Sequence, residues 1–182
     1  MFNLSTQDVV SSIEKTPIIK KGNFLYQHYH NFFGNTNFFL SNIEAVTFEK
    51  LENQEDLPRK RMSYNETTAK QLEIFFMNRH ITDTLREKFS TSLTFKSVDY
   101  WVDDKDYFLP PHVDDDSIKL SLQIYIGEDH PGTVLFDNNE KLYTFGFRNN
   151  SGYAMLLNDK TFHGLEYPVQ RDGRKSIYVR YQ

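Results

Sequence analysis

Residues 118–126 read IKLSLQIYI and residues 174–181 read RKSIYVRY, and these two runs decide the fold. In both, apolar side chains recur at every second position with little polar interruption, the pattern of strands that bury one face or both. Working outward, LTFKSVDYWV at 93–102, TVLF at 133–136 and YAMLL at 153–157 repeat the same grammar. The breaks between them fall at residues 103–106, 127–132, 137–139 and 171–173, rich in Gly, Asn and Asp, which supply turns. The chain from about residue 93 therefore predicts an antiparallel β region.

The first half reads differently. Ser5 and Asp8 ahead of Val9, Val10 and Ile13 form the capping pattern of a short helix. Over residues 67–89, Leu72, Phe75, Phe76, Leu85 and Phe89 stand near helical spacing and predict a helix packed on the sheet. No internal repeat and no low-complexity linker interrupts the chain. The expected organisation is one domain over 1–182, with residues 1–92 as a helical and mixed support and residues 93–182 as a β core.

Bulk properties narrow the chemistry. At 182 residues the chain is long enough to bury a core, and 16 Phe and 11 Tyr compensate for a hydrophobic fraction of 38%. A net charge of -4 gives no global basic field, which argues against nucleic acid as an obligatory partner. Without cysteine there is no disulfide framework, thiolate metal site or Cys nucleophile, so any metal must be held by His and carboxylate. The start MFNLSTQDVV has no basic stretch leading into an apolar one, and no window approaches the ~20 apolar residues of a membrane span. A soluble, intracellular, cytoplasmic protein without a membrane partner is the expectation.

The chemistry-bearing residues lie in the β half. In PPHVDDD (110–116) two prolines force an extended approach, and in a strand His112 and Asp114 share a face while Val113 turns away. An imidazole and a carboxylate so placed supply two ligands of a facial triad, which needs a second His and leaves positions open. Of the six histidines, His28, His30 and His80 lie in the first half, and His130 sits in the turn GEDHPG. His163 follows the apolar run YAMLL at the start of a return strand and is the better third ligand. Eleven residues on, Arg174 and Ser176 share one face of RKSIYVRY while Ile177, Val179 and Tyr181 take the other. A guanidinium beside a hydroxyl suits a carboxylate, because its fork donates two parallel charge-assisted hydrogen bonds.

HVD, a single later His and an Arg-x-Ser beyond it resemble the iron(II)/2-oxoglutarate-dependent dioxygenases, closest in pattern to the prolyl hydroxylase branch. The resemblance covers about residues 98–181. It implies a double-stranded β-helix, or jelly-roll, core with flanking helices, and a metal held by His112, Asp114 and His163. It implies Fe(2+), 2-oxoglutarate and O2 as cofactors, with ascorbate as an accessory reductant. Arg174 and Ser176 would hold the distal carboxylate of 2-oxoglutarate. LSLQIYI resembles the family strand whose tyrosine contacts that carboxylate, which here is Tyr125, and Tyr100 or Trp101 stands where prolyl hydroxylases place a further tyrosine. GTVLF (132–136) resembles a strand facing the cofactor pocket. Halogenating members replace the carboxylate ligand by a small residue, and Asp114 is intact, so the resemblance implies hydroxylation with release of succinate and CO2. No catalytic residue beyond the metal ligands is required.

The prime substrate expected from this resemblance is a peptidyl proline, an amino acid or another small molecule. PRKRM (58–62) offers Arg59, Lys60 and Arg61 to an acidic substrate or to solvent, and Phe32, Phe33, Phe38 and Phe39 offer a pocket lining or core. Tyr107 and Phe108 precede the ligands and can shape the mouth. Two other readings compete: a cupin-like metal protein without 2-oxoglutarate chemistry, against which Arg174 and Ser176 speak, and a non-catalytic jelly-roll binding module.

Overall fold

The computed structural model describes residues 4–34, 47–50, 57–63 and 67–182. Phe38 and Phe39 lie outside the described residues, whereas Phe32 and Phe33 are core residues at 0% and 4% exposure. Helix α1 (Thr6–Lys15) begins where the sequence places it, with the Ser5 hydroxyl accepting from the Asp8 N–H at 3.1 Å. Strands β1 (Ile19–Lys21), β2 (Phe24–Tyr29), β3 (Phe48–Glu49) and β4 (Arg59–Met62) follow.

The single helix expected over 67–89 is two, α2 (Thr67–Phe76) and α3 (Arg79–Phe89). Asn78 separates them: its backbone leaves the helical region and its side chain accepts from the His80 N–H at 2.9 Å, so it caps the second helix. Then come β5 (Phe95–Asp103), β6 (Leu120–Ile126), β7 (Val134–Asp137), β8 (Glu140–Thr144), β9 (Gly152–Leu156), β10 (His163–Gly164) and β11 (Arg174–Tyr181).

Among the described residues, eight strands form one sheet in the order β1-β2-β9-β6-β11-β5-β4-β3, and three form a second in the order β10-β7-β8. All strand pairings among the described residues are antiparallel. The first half is thus more than a support, since β1 to β4 complete both ends of the larger sheet. β7 and β8 are joined through Asn138 and Asn139, both at positive φ (50° and 66°), the left-handed pair that a two-residue hairpin turn demands.

Strand alternation assigns the two faces of the large sheet. Leu120, Leu122 and Ile124 of β6 and Ile177, Val179 and Tyr181 of β11 pack with Val9 and Ile13 of α1, Leu72 and Phe76 of α2, and Ile81, Leu85 and Phe89 of α3. Truncating one of these aliphatics to Ala costs about 2–5 kcal/mol. On the inner face, Phe24, Tyr26, Tyr125, Tyr153 and Met155 pack with Leu135, Phe145 and Phe147 of the β7–β8 side. β6 is buried along its whole length because it lies between these layers, so Ser121, Gln123 and Tyr125 are buried on the inner face as its aliphatics are on the outer one.

Candidate metal centre and its cavity

His112 lies outside the named strands and pairs with His163 of β10 in an isolated antiparallel bridge. The His112 N–H donates to His163 O at 3.0 Å and the His163 N–H to His112 O at 2.9 Å. Gly164 permits this approach, because a Cβ there would stand 2.6 Å from Leu109 O and 2.8 Å from Pro110 O. The two imidazole rings consequently sit 4.6 Å apart, centroid to centroid.

Asp114 completes the group. One of its oxygens is 3.5 Å from His112 Nε2 and the other 3.6 Å from His163 Nε2. The three ligand atoms all lie within 4.8 Å of one another. Each ring is oriented through its far nitrogen: His112 Nδ1 faces Pro110 O and His163 Nδ1 faces Thr161 O, both at 3.0 Å. A carbonyl accepts only from an N–H, so both neutral rings carry their proton on Nδ1 and turn a lone pair on Nε2 toward Asp114.

Burial raises the Asp114 carboxyl, but hydrogen bonding from the protonated form of His112, the charge of the protonated form of His163 and the Tyr178 hydroxyl outweigh it and bring it down to about 2. Burial lowers His163. Burial also lowers His112, yet its contacts with Asp114 and Pro110 reverse the balance and raise it. Two imidazole nitrogens and one carboxylate, with no fourth His or acidic residue in the group among the described residues, make a donor set suited to a divalent first-row metal that keeps open positions.

Asp114 and His163 line a cavity of about 110 Å³ together with Gln123, Thr133, Tyr153, Arg174 and Tyr178. Trp101, Tyr107, Leu109 and Leu165 add apolar wall, and Arg59 joins them. Arg174 is 2% exposed; its Nε donates to Pro131 O at 2.8 Å and its Nη1 to Asp103 Oδ2 at 2.5 Å.

Other expected site residues stand elsewhere. Tyr100 is on the helix-facing side of β5, in the outer core and against Phe48 at 5.3 Å, because its parity along the strand is opposite to that of Trp101. Tyr125 shares the inner face, but its ring stacks on Phe147 at 4.5 Å, and its hydroxyl donates to Thr133 Oγ1 and accepts from the Thr133 N–H, both at 2.9 Å. Ser176 is fully buried and its hydroxyl accepts from Gln123 Nε2 at 3.1 Å. Gln123 Oε1 in turn accepts from Thr133 and from Tyr153, each at 2.9 Å. The cavity wall is thus Gln123, Thr133 and Tyr153, with Tyr125 and Ser176 behind it fixing their orientation. His130 is not part of the metal group.

Tyr178 escaped the sequence reading. Its hydroxyl donates to Asp114 Oδ2 at 2.6 Å. The signal was present, since Tyr178 has the parity of Arg174 and Ser176 in RKSIYVRY. Gln123 likewise has the parity of Tyr125. The roles of Asp103 and Thr133 had no such signal, because they depend on which strands become neighbours.

No protein-family model matches this sequence, and no curated protein does. Solved structures do. A 2OG-Fe(II) oxygenase family oxidoreductase from Burkholderia pseudomallei superposes with a TM-score of 0.64 at 13% identity, covering 100% of this chain and 91% of that one. HygX from Streptomyces hygroscopicus, with nickel, 2-oxoglutarate and hygromycin B bound, gives 0.59 at 12% identity, covering 97% and 87%. A prolyl hydroxylase from Trichoplax adhaerens, in complex with a hypoxia inducible factor peptide fragment, gives 0.55 at 12% identity, covering 97% and 88%. The two facing antiparallel sheets with helices on the larger one are the double-stranded β-helix fold of the 2OG-Fe(II) oxygenases.

Proposed function

We propose that this chain is an iron(II)- and 2-oxoglutarate-dependent dioxygenase that hydroxylates a peptide, an amino acid or another small molecule. The observation that carries the reading is a single cavity with His163 and Asp114 on one wall and the buried guanidinium of Arg174 on another. Among the similar structures, one holds 2-oxoglutarate with nickel and hygromycin B, and another a peptide fragment.

His112, Asp114 and His163 would hold the metal, and Arg174 would anchor the distal carboxylate of 2-oxoglutarate. Iron held there would supply the redox chemistry by which O2 gives one oxygen atom to succinate, as 2-oxoglutarate loses CO2, and the other to the hydroxylated prime substrate. The chain's own part is geometric. Pro110 and Thr161 carbonyls orient the imidazoles, Tyr178 orients the carboxylate, and the Gln123, Thr133, Tyr153 network presents a fixed polar wall. Trp101, Tyr107, Leu109 and Leu165 line the rest of the cavity with apolar surface.

The test incubates purified protein with iron(II), ascorbate and 2-oxoglutarate and measures succinate. Wild type is expected to turn over, Asp114→Ala to fall to background, and Arg174→Lys to need a much higher 2-oxoglutarate concentration while still binding metal. Lysine is the informative replacement because it keeps a charge beside Asp103 but loses the fork. Equal succinate formation by all three proteins would sink the assignment.

A further inference from the structure

The run PRKRM forms β4, which pairs with β5 in the register Arg59↔Asp103, Lys60↔Val102 and Arg61↔Trp101. Alternation sends Lys60 one way, to Asp104 at 2.6 Å, and Arg59 the other, onto the inner face. Arg59 is not a solvated charge: its side chain is 16% exposed and lines the cavity that holds Asp114, His163 and Arg174. Its guanidinium carbon lies 4.6 Å from the Trp101 ring and 4.3 Å from the Tyr107 ring, which holds the group in place.

Arg59 Nε donates to Asp103 Oδ1 at 2.6 Å, while Arg174 Nη1 takes the other oxygen at 2.5 Å. One fully buried carboxylate therefore carries two guanidinium groups side by side. The trio keeps one net positive charge at a sparsely solvated cavity wall, an arrangement that an anion in the cavity completes. Arg59 donates only through Nε and Arg174 only through Nε and Nη1 among the described residues. Both Nη atoms of Arg59 and Nη2 of Arg174 remain as donors.

We propose that Arg59 is a second anchoring residue for the distal carboxylate of 2-oxoglutarate, which Arg59 and Arg174 grip together from their shared seat on Asp103. The inference rests on the 2-oxoglutarate reading. It makes Arg59 a specificity residue, because two guanidinium groups favour a dicarboxylate over a 2-oxo acid that lacks the far carboxylate.

The experiment is calorimetric titration of Mn(II)-loaded protein with 2-oxoglutarate and with 2-oxobutanoate, which has the same keto-acid head and no distal carboxylate. Arg59→Gln is expected to weaken 2-oxoglutarate by about tenfold to a hundredfold, the value of a charged hydrogen bond. It should leave 2-oxobutanoate and Mn(II) affinity unchanged. Unchanged 2-oxoglutarate affinity overturns the proposal, and so does an equal loss for both acids, which marks a packing role. If Arg59→Gln does not fold, Arg59→Lys carries the comparison: a smaller preference for 2-oxoglutarate over 2-oxobutanoate supports the proposal, and an unchanged preference overturns it. Failure of the wild type to bind 2-oxoglutarate sinks the functional reading itself. Loss in Arg174→Lys without loss in the Arg59 variants sinks this inference alone.

Discussion

The carboxylate of Asp114 has two oxygens and three neighbours, His112, His163 and the Tyr178 hydroxyl. Burial and the nearby Asp114 charge push the Tyr178 phenol well above its ordinary range, so it stays a donor. Removing that hydroxyl in Tyr178→Phe keeps the ring's packing and frees Asp114 to rotate. Metal affinity, followed by Mn(II) titration, is expected to fall about tenfold to a hundredfold, as for other residues that orient a ligand; an unchanged affinity would show that Asp114 is held in place without the Tyr178 hydroxyl. A second residue effect is pH dependent. Burial, with His30 beside it, lowers His28 to about 4, and its ring accepts or donates to the Tyr143 hydroxyl at 2.9 Å. The folded state thus binds a proton at His28 less readily than the unfolded chain, and stability present above the ordinary histidine value drains away as pH falls toward 4. The ring is only half buried, which screens the effect to about 1–2 kcal/mol. Denaturant melts of His28→Phe at pH 7 and pH 4.5 are expected to differ by that much less than those of wild type.

At the scale of elements, the metal group exists because a segment outside the named strands lies against β10. Gly164 is the contact point, and its missing Cβ admits Leu109 O and Pro110 O. Both obstacles are backbone, so Gly164→Ala must push residues 109–112 away from His163. The expected outcome is a destabilisation of about 1–3 kcal/mol in denaturant melts, together with weaker metal binding and an unaltered helical signal by circular dichroism. Retained wild-type metal affinity would show that the segment accommodates a methyl group. The helices show what a periodic pattern leaves open. Residues 67–89 carry continuous apolar spacing, yet Asn78 divides them, since capping its own N-terminal turn satisfies donors that a continuous helix would not expose.

For the molecule as a whole, the cavity joins two sheets, with His163 on β10 of the smaller and Arg174 on β11 of the larger. A metal and an anion bound together therefore tie the sheets to each other and stabilise only the folded state. At a hundredfold excess over Kd each ligand contributes about 2.7 kcal/mol. The melting temperature is expected to rise with Mn(II), to rise again with 2-oxoglutarate, and to return to the apo value on chelation. A shift from 2-oxoglutarate that persists after chelation would mean that the acid binds without the metal.

The strands of the second half, the HVD spacing and the parity of Arg174 with Ser176 were legible in the sequence because each depends on the period of two along one strand. The same periodicity, read two residues further, contained Tyr178. The tertiary structure decided what parity cannot: which strands are neighbours. Pairing β5 with both β4 and β11 seats Asp103 between Arg59 and Arg174 and makes Arg59, alone of the basic run, part of the cavity wall. It also places Thr133 against Tyr125, so that the tyrosine supports the cavity from behind. Sequence spacing fixes the face on which a side chain emerges, whereas its chemical partner belongs to another strand and exists only once the sheets have closed.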